Sequence, residues 1–240
     1  MNRGLPSELD SAKLSGANRY ERCVQLVQRS PQDALDAANQ WQGQGGDGAS
    51  SHCAALALVS LGRYAESARA LDRLGHENFG NAAERATIFD QAGNAWLLAG
   101  RGGDAMESFS SALALSPNDA DLLADRARAA AMLGDWRAAD NDLTAALAHD
   151  GNRADLLVLR ASARRALGRA ADAAKDLDQA LHIVPDYPDA LVERGSLRLE
   201  TGDANGARAD WQAAIARAPN SPAGRAAQQH LSELAPAKAQ

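Results

Sequence analysis

Aromatic residues are scarce in this chain, at 4%, and lysine is nearly absent, occurring at Lys13, Lys175 and Lys238 alone. Arginine carries the rest of the positive charge, and the formal net charge is still −6, with a pI near 5.4. A general nucleic-acid binder needs a basic stripe, so that class is excluded, and the balance leans towards a neutral or basic partner. No run approaches the ~20 consecutive apolar residues of a membrane-spanning helix. Residues 1–16 lack the apolar core of a secretory signal, so the chain as written reads as cytoplasmic. What is abundant is alanine, the best helix former. Helices that meet through alanine and glycine can approach closely.

A glycine recurs at one interval: Gly100, Gly134, Gly168 and Gly202, each 34 residues from the last. A fixed period of this size marks stacked repeats. Other landmarks keep step with it. Seven residues before each glycine stands Gly93, Ala127, Ala161 or Gly195. Five after stands Ala105, Ala139, Ala173 or Ala207, and nine after a bulky residue, Phe109, Leu143, Leu177 or Trp211. Twelve after comes Ala112, Ala146, Ala180 or Ala214, and seventeen after Pro117, Gly151, Pro185 or Pro219. Each unit divides into two amphipathic helices around its glycine. In the unit from Asp119 to Asp150, Ala139, Leu143, Ala146 and Leu147 fall on one helical stripe. The glycine supplies the left-handed residue that ends the first helix, and the proline breaks the second.

These landmarks resemble the tetratricopeptide repeat (TPR), over residues 86–221. The resemblance implies an all-α fold, a right-handed superhelical α-solenoid of antiparallel helical hairpins. It also implies a concave wall, lined by the first helices, that binds an extended peptide or a helix. Upstream the pattern weakens. Gly62 marks a further turn, with Ala55 seven before and Leu71 nine after, and the gap of 38 to Gly100 implies four residues inserted near Asn81–Arg85. Residues 18–81 thus read as two degenerate hairpins and 86–221 as four repeats, about six hairpins in all. Residues 222–235 read as a helix capping the last apolar face, and residues 1–17 as a flexible N-terminus.

Eight residues before three of the turns lie Arg126, Arg160 and Arg194; eight after them lie Asp142, Asp176 and Asp210. Equal offsets in an antiparallel hairpin lie at equal height, so these residues are expected to form structural ion pairs. The competing reading is an arginine ladder for phosphate or carboxylate. On the TPR wall the expected peptide-binding groove comprises Asp90, Asn94, Leu97, Arg128, Val158, Ser162, Val192 and Ser196. Asp121, Asp155 and Asp189 give it an acidic rim, although acids there also suit a first helical turn. Such a groove suits a peptide with apolar anchors and basic flanks.

Signals of chemistry are weak. Gly43 to Gly48 matches GxGxxG, but it follows a helix and no strand precedes it, against the context a dinucleotide site needs. The five histidines form no HExxH and no ligand pair, so no metal and no cofactor are expected. No nucleophile elbow stands out. Cys23 and Cys53 are the only cysteines. They fall on the first helices of consecutive hairpins, near enough for a disulfide, and two buried thiols are the equal alternative. A disulfide would favour an exported, periplasmic setting. The expected function is non-enzymatic: a module for a protein or peptide ligand, with a self-associating scaffold as the alternative.

Overall fold

The computed structural model describes residues 16–77 and 79–234. The expected flexible tail up to residue 15, and everything from residue 235 on, lie outside them. Among the described residues there are thirteen helices and no strand. The chain divides into two compact units, Met1–Pro117 and Asn118–Gln240. The first holds α1 (Gly16–Arg29), α2 (Pro31–Gly43), α3 (Gly48–Ser60), α4 (Tyr64–His76), α5 (Ala82–Leu98) and α6 (Gly102–Leu115). The second holds α7 (Ala120–Met132), α8 (Trp136–His149), α9 (Ala154–Ala166), α10 (Ala170–Ile183), α11 (Pro188–Glu200), α12 (Ala204–Arg217) and α13 (Pro222–Leu234).

Local chemistry sets the helix ends. Asp47 accepts the Ala49 N–H at 3.0 Å, and Asp119 accepts those of Asp121 and Leu122 at 3.0 and 3.2 Å. Both satisfy first-turn donors that lack an intrahelical partner. Asn81 and Glu84 form a capping box at the start of α5. That helix is 17 residues long where α3 and α7 have 13, so the four extra residues lengthen it by about one turn. At the hairpin corner Gly134 takes φ +77°, and the following Asp135 N–H reaches back to the Ala130 carbonyl at 2.9 Å. A side chain in that left-handed conformation would be strained.

Among the described residues, the first unit holds a cluster that includes Cys23, Val27, Leu35, Cys53 and Leu58 and another of Ala55, Leu71, Leu74, Ile88 and Ala92. In the second unit Leu191, Trp211, Ala214 and Ala227 cluster, with Leu231 and Leu234 of α13 packed against them.

In two hairpins the small and bulky landmarks meet, and their sizes match. A Cβ on Gly93 would lie 2.6 Å from Phe109 Cζ, and one on Gly195 would lie 2.8 Å from Trp211 Cδ1. No real Cβ survives such contact, so the aromatic ring requires glycine opposite. Where the bulky residue is leucine, as at Leu143 and Leu177, the facing position is Ala127 or Ala161. Phe109, Leu143, Leu177 and Trp211 are all at most 2% exposed.

Candidate functional site

The second unit is organised around charge. Arg126 donates from Nε and Nη2 to both carboxylate oxygens of Asp142, at 2.8 and 2.7 Å. Arg160 makes the same fork on Asp176 at 3.0 and 2.7 Å, and Arg194 on Asp210 at 3.0 and 2.8 Å. The aspartate side chains are 12, 4 and 6% exposed, so these carboxylates are spent on the hairpin seam and are not offered to solvent. Hydrogen bonding to Asp142 and Asp210 holds Arg126 and Arg194 above the ordinary guanidinium range, against the opposing effect of burial. A second tier of arginines joins them. Arg164 donates to Asp176 at 2.8 Å and to Asp140 of the preceding hairpin at 2.9 Å, and Arg198 donates to Asp210 at 2.6 Å. Arg164, Arg198 and Asp140 were not expected from the sequence: Arg164 and Arg198 do repeat four residues before a turn glycine, a signal the equal-offset pairing does not use, whereas the reach of Arg164 to Asp140 crosses hairpins and leaves no signature in single-hairpin offsets.

The first unit places a different arrangement on its first helices. Tyr20 on α1, His52 on α3 and Gln91 on α5 form a chain: Tyr20 Oη lies 2.7 Å from His52 Nδ1, and His52 Nε2 lies 2.6 Å from Gln91 Oε1. A neutral imidazole protonated on Nε2 satisfies both contacts, with the phenol donating to Nδ1. Burial pushes the Tyr20 hydroxyl up from its ordinary value, which keeps it a donor. Beside this chain is a cavity of about 440 Å³ whose apolar walls are Phe79, Ile88 and the Tyr20 ring. The side chains of Asp47, Glu84 and Thr87 line it as well. The cavity draws one helix from each of three hairpins, α1, α3 and α5.

Of the expected groove residues, Asp90, Asn94 and Leu97 continue along α5 of the first unit. Asn94 donates to the Asp90 carboxylate at 3.0 Å and to its carbonyl at 3.1 Å. The others lie in the second unit. Arg128 on α7 is ion-paired with Asp125. Val158 on α9 is 8% exposed, Ser162 is half-buried on the same helix, and Val192 on α11 packs against the Trp211 cluster. Ser196 donates to the Val192 carbonyl at 3.1 Å. The acidic rim is partly neutralised: Arg153 bridges Asp121 at 3.0 Å and Asp155 at 2.9 Å. Hydrogen bonding from Arg153, reinforced by its charge, holds the Asp155 carboxyl below the ordinary range although burial opposes this. Burial, then the charges of Asp189 and Asp155, push the Tyr187 hydroxyl up.

Cys23 and Cys53 are joined in a disulfide, Cα atoms 6.2 Å apart, across 30 residues. It ties α1 to α3, next to Tyr20 and His52. Among the described residues no three or more His, Cys, Asp or Glu side chains group as metal ligands, and no helix is long and apolar enough to cross a membrane.

Residues 189–221 match the family model described as the tetratricopeptide repeat. Several solved structures share the fold. A thermophilic TPR protein of Thermus thermophilus is 20% identical, with 78% of this chain and 98% of that one covered and a TM-score of 0.61. A tetratricopeptide repeat protein from Parabacteroides merdae is 17% identical, covering 90% and 85%, at a TM-score of 0.62. YrrB, described as a TPR protein with an unusual peptide-binding site, is 17% identical, covering 80% and 96%, at a TM-score of 0.57. No curated protein sequence matches the chain.

Proposed function

We propose, from the premise that this chain is a tetratricopeptide-repeat protein, that it is a non-enzymatic interaction module binding a peptide or helix along the face of its first helices. One observation carries this reading. The cavity bounded by Tyr20, His52, Phe79 and Ile88 is assembled from one helix of each of three successive hairpins, so it exists only because the hairpins stack. Its apolar walls suit a large aliphatic or aromatic anchor. The Asp47 and Glu84 carboxylates at the same cavity favour lysine or arginine beside that anchor. Asp90, Asn94 and Leu97 extend the contact along α5. Arg128, Val158, Ser162, Val192 and Ser196 are the corresponding candidate contacts on the first helices of the second unit. The burial of Val158 means that charged substitutions there report on packing, so the test belongs at an exposed position.

Thr87 is such a position. Peptides selected from a random display library on the full chain are expected to bind Thr87→Arg about tenfold more weakly than wild type, a change of about 1.4 kcal/mol. Selected peptides that ignore Thr87→Arg, or that carry acidic rather than basic flanks, would remove the reading.

Self-association is the second reading. Met132, Leu133, Leu167 and Leu199 are 50, 55, 36 and 39% exposed, and all lie within three residues of a turn glycine in the second unit. Sedimentation that reports a monomer over a wide concentration range removes it.

A further inference from the structure

One slot recurs between consecutive second helices, over the first helix that separates them, and it is filled differently each time. In the hairpin turning at Gly168 it holds Arg160 and Arg164, eight and four residues before the glycine, hydrogen-bonded to Asp176 and Asp140. In the hairpin turning at Gly202 it holds Arg194 and Arg198 on Asp210. In the hairpin turning at Gly100 the place four before the glycine is Trp96. Its indole N–H donates to Asp72 at 2.7 Å, and the Ser108 hydroxyl donates to the same carboxylate at 2.7 Å. The Arg101 guanidinium sits 4.6 Å over the Trp96 ring.

In the hairpin turning at Gly62 the same places are Ala54 and Leu58, with Ala70 eight after the turn. Nothing long enough to fill the slot is present, and a cleft of about 390 Å³ opens there. Leu35, Ala54, Leu58, Ala70 and Leu74 line it, with the uncharged polar residues Asn39, Gln42 and Ser51 at one side. It opens on the other side of α3 from the cavity described above: at ~100° per residue, Ala49 and His52 face away from Ser51, Ala54 and Leu58. Arg69, Arg73 and Glu77 stand at its rim beside Glu66, which is already forked by Arg63 at 2.8 and 2.7 Å. Among the described residues Arg69, Arg73 and Glu77 make no salt bridge. The Arg69 guanidinium also lies 6.0 Å from the centroid of the Trp96 ring, so outside the Arg63–Glu66 pair the rim carries Arg69, held towards Trp96, and Arg73 against the single carboxylate of Glu77.

The geometry points to this cleft as a second binding site, one that takes an aromatic side chain of a partner peptide with a carboxylate next to it. The aromatic ring occupies the place that Trp96 fills in the neighbouring hairpin. Arg73, with Arg69 beside it, receives the carboxylate and lies over the ring face, where a cation is attracted. The site is independent of the first-helix face and needs no ligand there.

Methyl NMR of the full-length, oxidised chain tests this with acetyl-Glu-Trp-Glu-amide as probe and acetyl-Glu-Ala-Glu-amide and acetyl-Lys-Trp-Lys-amide as controls. The Ala54, Leu58 and Leu74 methyls are expected to shift with the first probe and not with the alanine control. Binding of the lysine control is expected to be about tenfold weaker, a difference of about 1.4 kcal/mol. Leu58→Trp supplies the missing ring from within and is expected to abolish the shifts at Ala54 and Leu74. Shifts that persist in Leu58→Trp, that appear equally with the alanine control, or that fall on Ile88 instead would overturn the assignment. Should Leu58→Trp fail to fold, the exposed Arg73→Glu decides: reversal of the preference towards the lysine probe supports the site, and an unchanged preference refutes it.

Discussion

Eight residues either side of the turn glycine, the Asn118–Gln240 unit carries Arg126–Asp142, Arg160–Asp176 and Arg194–Asp210, each as a two-bond fork. The same places in the Met1–Pro117 unit carry Ala54 and Ala70, then Ala92 and Ser108. One unit closes its hairpins with arginine–aspartate forks and the other with small side chains, hydrogen bonds from uncharged donors to Asp72 and a covalent staple at Cys23–Cys53. The difference also shows at the surface: where Ala54 and Leu58 stand in the places that Arg160 and Arg164 take in the other unit, a cleft opens. The second binding site proposed above rests on that difference.

The comparison breaks most visibly at Asp176. Asp176→Ala strands the guanidinium group of Arg160 and leaves Arg164 with Asp140 alone, and removing one partner of a buried pair costs about 3–5 kcal/mol. Hydrogen exchange should show the loss in α9 and α10. The paired change Arg160→Leu/Asp176→Leu should cost less than Asp176→Ala alone, because fewer charges are left buried without a partner; equal losses would show that the forks are not what holds the seam. Next is the disulfide. Closing a 30-residue loop constrains the unfolded chain by about 3–4 kcal/mol. Reduction should therefore raise exchange in α1 and α3 and leave α9 to α12 unchanged.

Packing changes come third and should act alike in both units. Gly93→Ala and Gly195→Ala each force a Cβ into an aromatic ring, which typically costs about 1–3 kcal/mol. Phe109→Leu added to Gly93→Ala should recover part of that loss in urea denaturation; a strictly additive double change would refute size matching. The smallest effect is acid sensitivity. Because the Asp155 carboxyl is held below its ordinary value by Arg153, its contribution is present above about pH 4 and is lost as pH falls through the depressed value. Asp155→Asn should flatten that part of the acid limb, read as melting temperature against pH. An unchanged limb would mean that the pairing with Arg153 is too solvated to matter.

Much of the architecture could be read from residue order because each determinant is counted from a turn glycine on the same hairpin. The glycine fixes one corner, and positions at equal distance from it meet. Arg126 and Asp142 were legible in this way; Gly93 and Phe109, seven before and nine after their glycine, were legible as repeat landmarks but not as partners in contact. The counting stops at a hairpin's edge. Arg164 reaches Asp140 across to the preceding hairpin, and Tyr20, His52 and Gln91 belong to three different hairpins. The first hairpin has no turn glycine, only Ser30 between α1 and α2, so Tyr20 had no register from which to be counted. The cysteines left two readings open, since a spacing shows proximity and not bond formation. In the expected groove, position along a helix did not reveal how far each side chain was already engaged, as Asn94 is with Asp90 and Arg128 with Asp125.

The interlock of Gly195 with Trp211 and of Gly93 with Phe109 has an evolutionary corollary. Neither member of such a couple can drift alone: a larger residue collides and a smaller one leaves a hole. Divergence between hairpins must therefore move in coordinated steps of two, and grafts that exchange entire hairpins should survive where residue-by-residue chimeras fail.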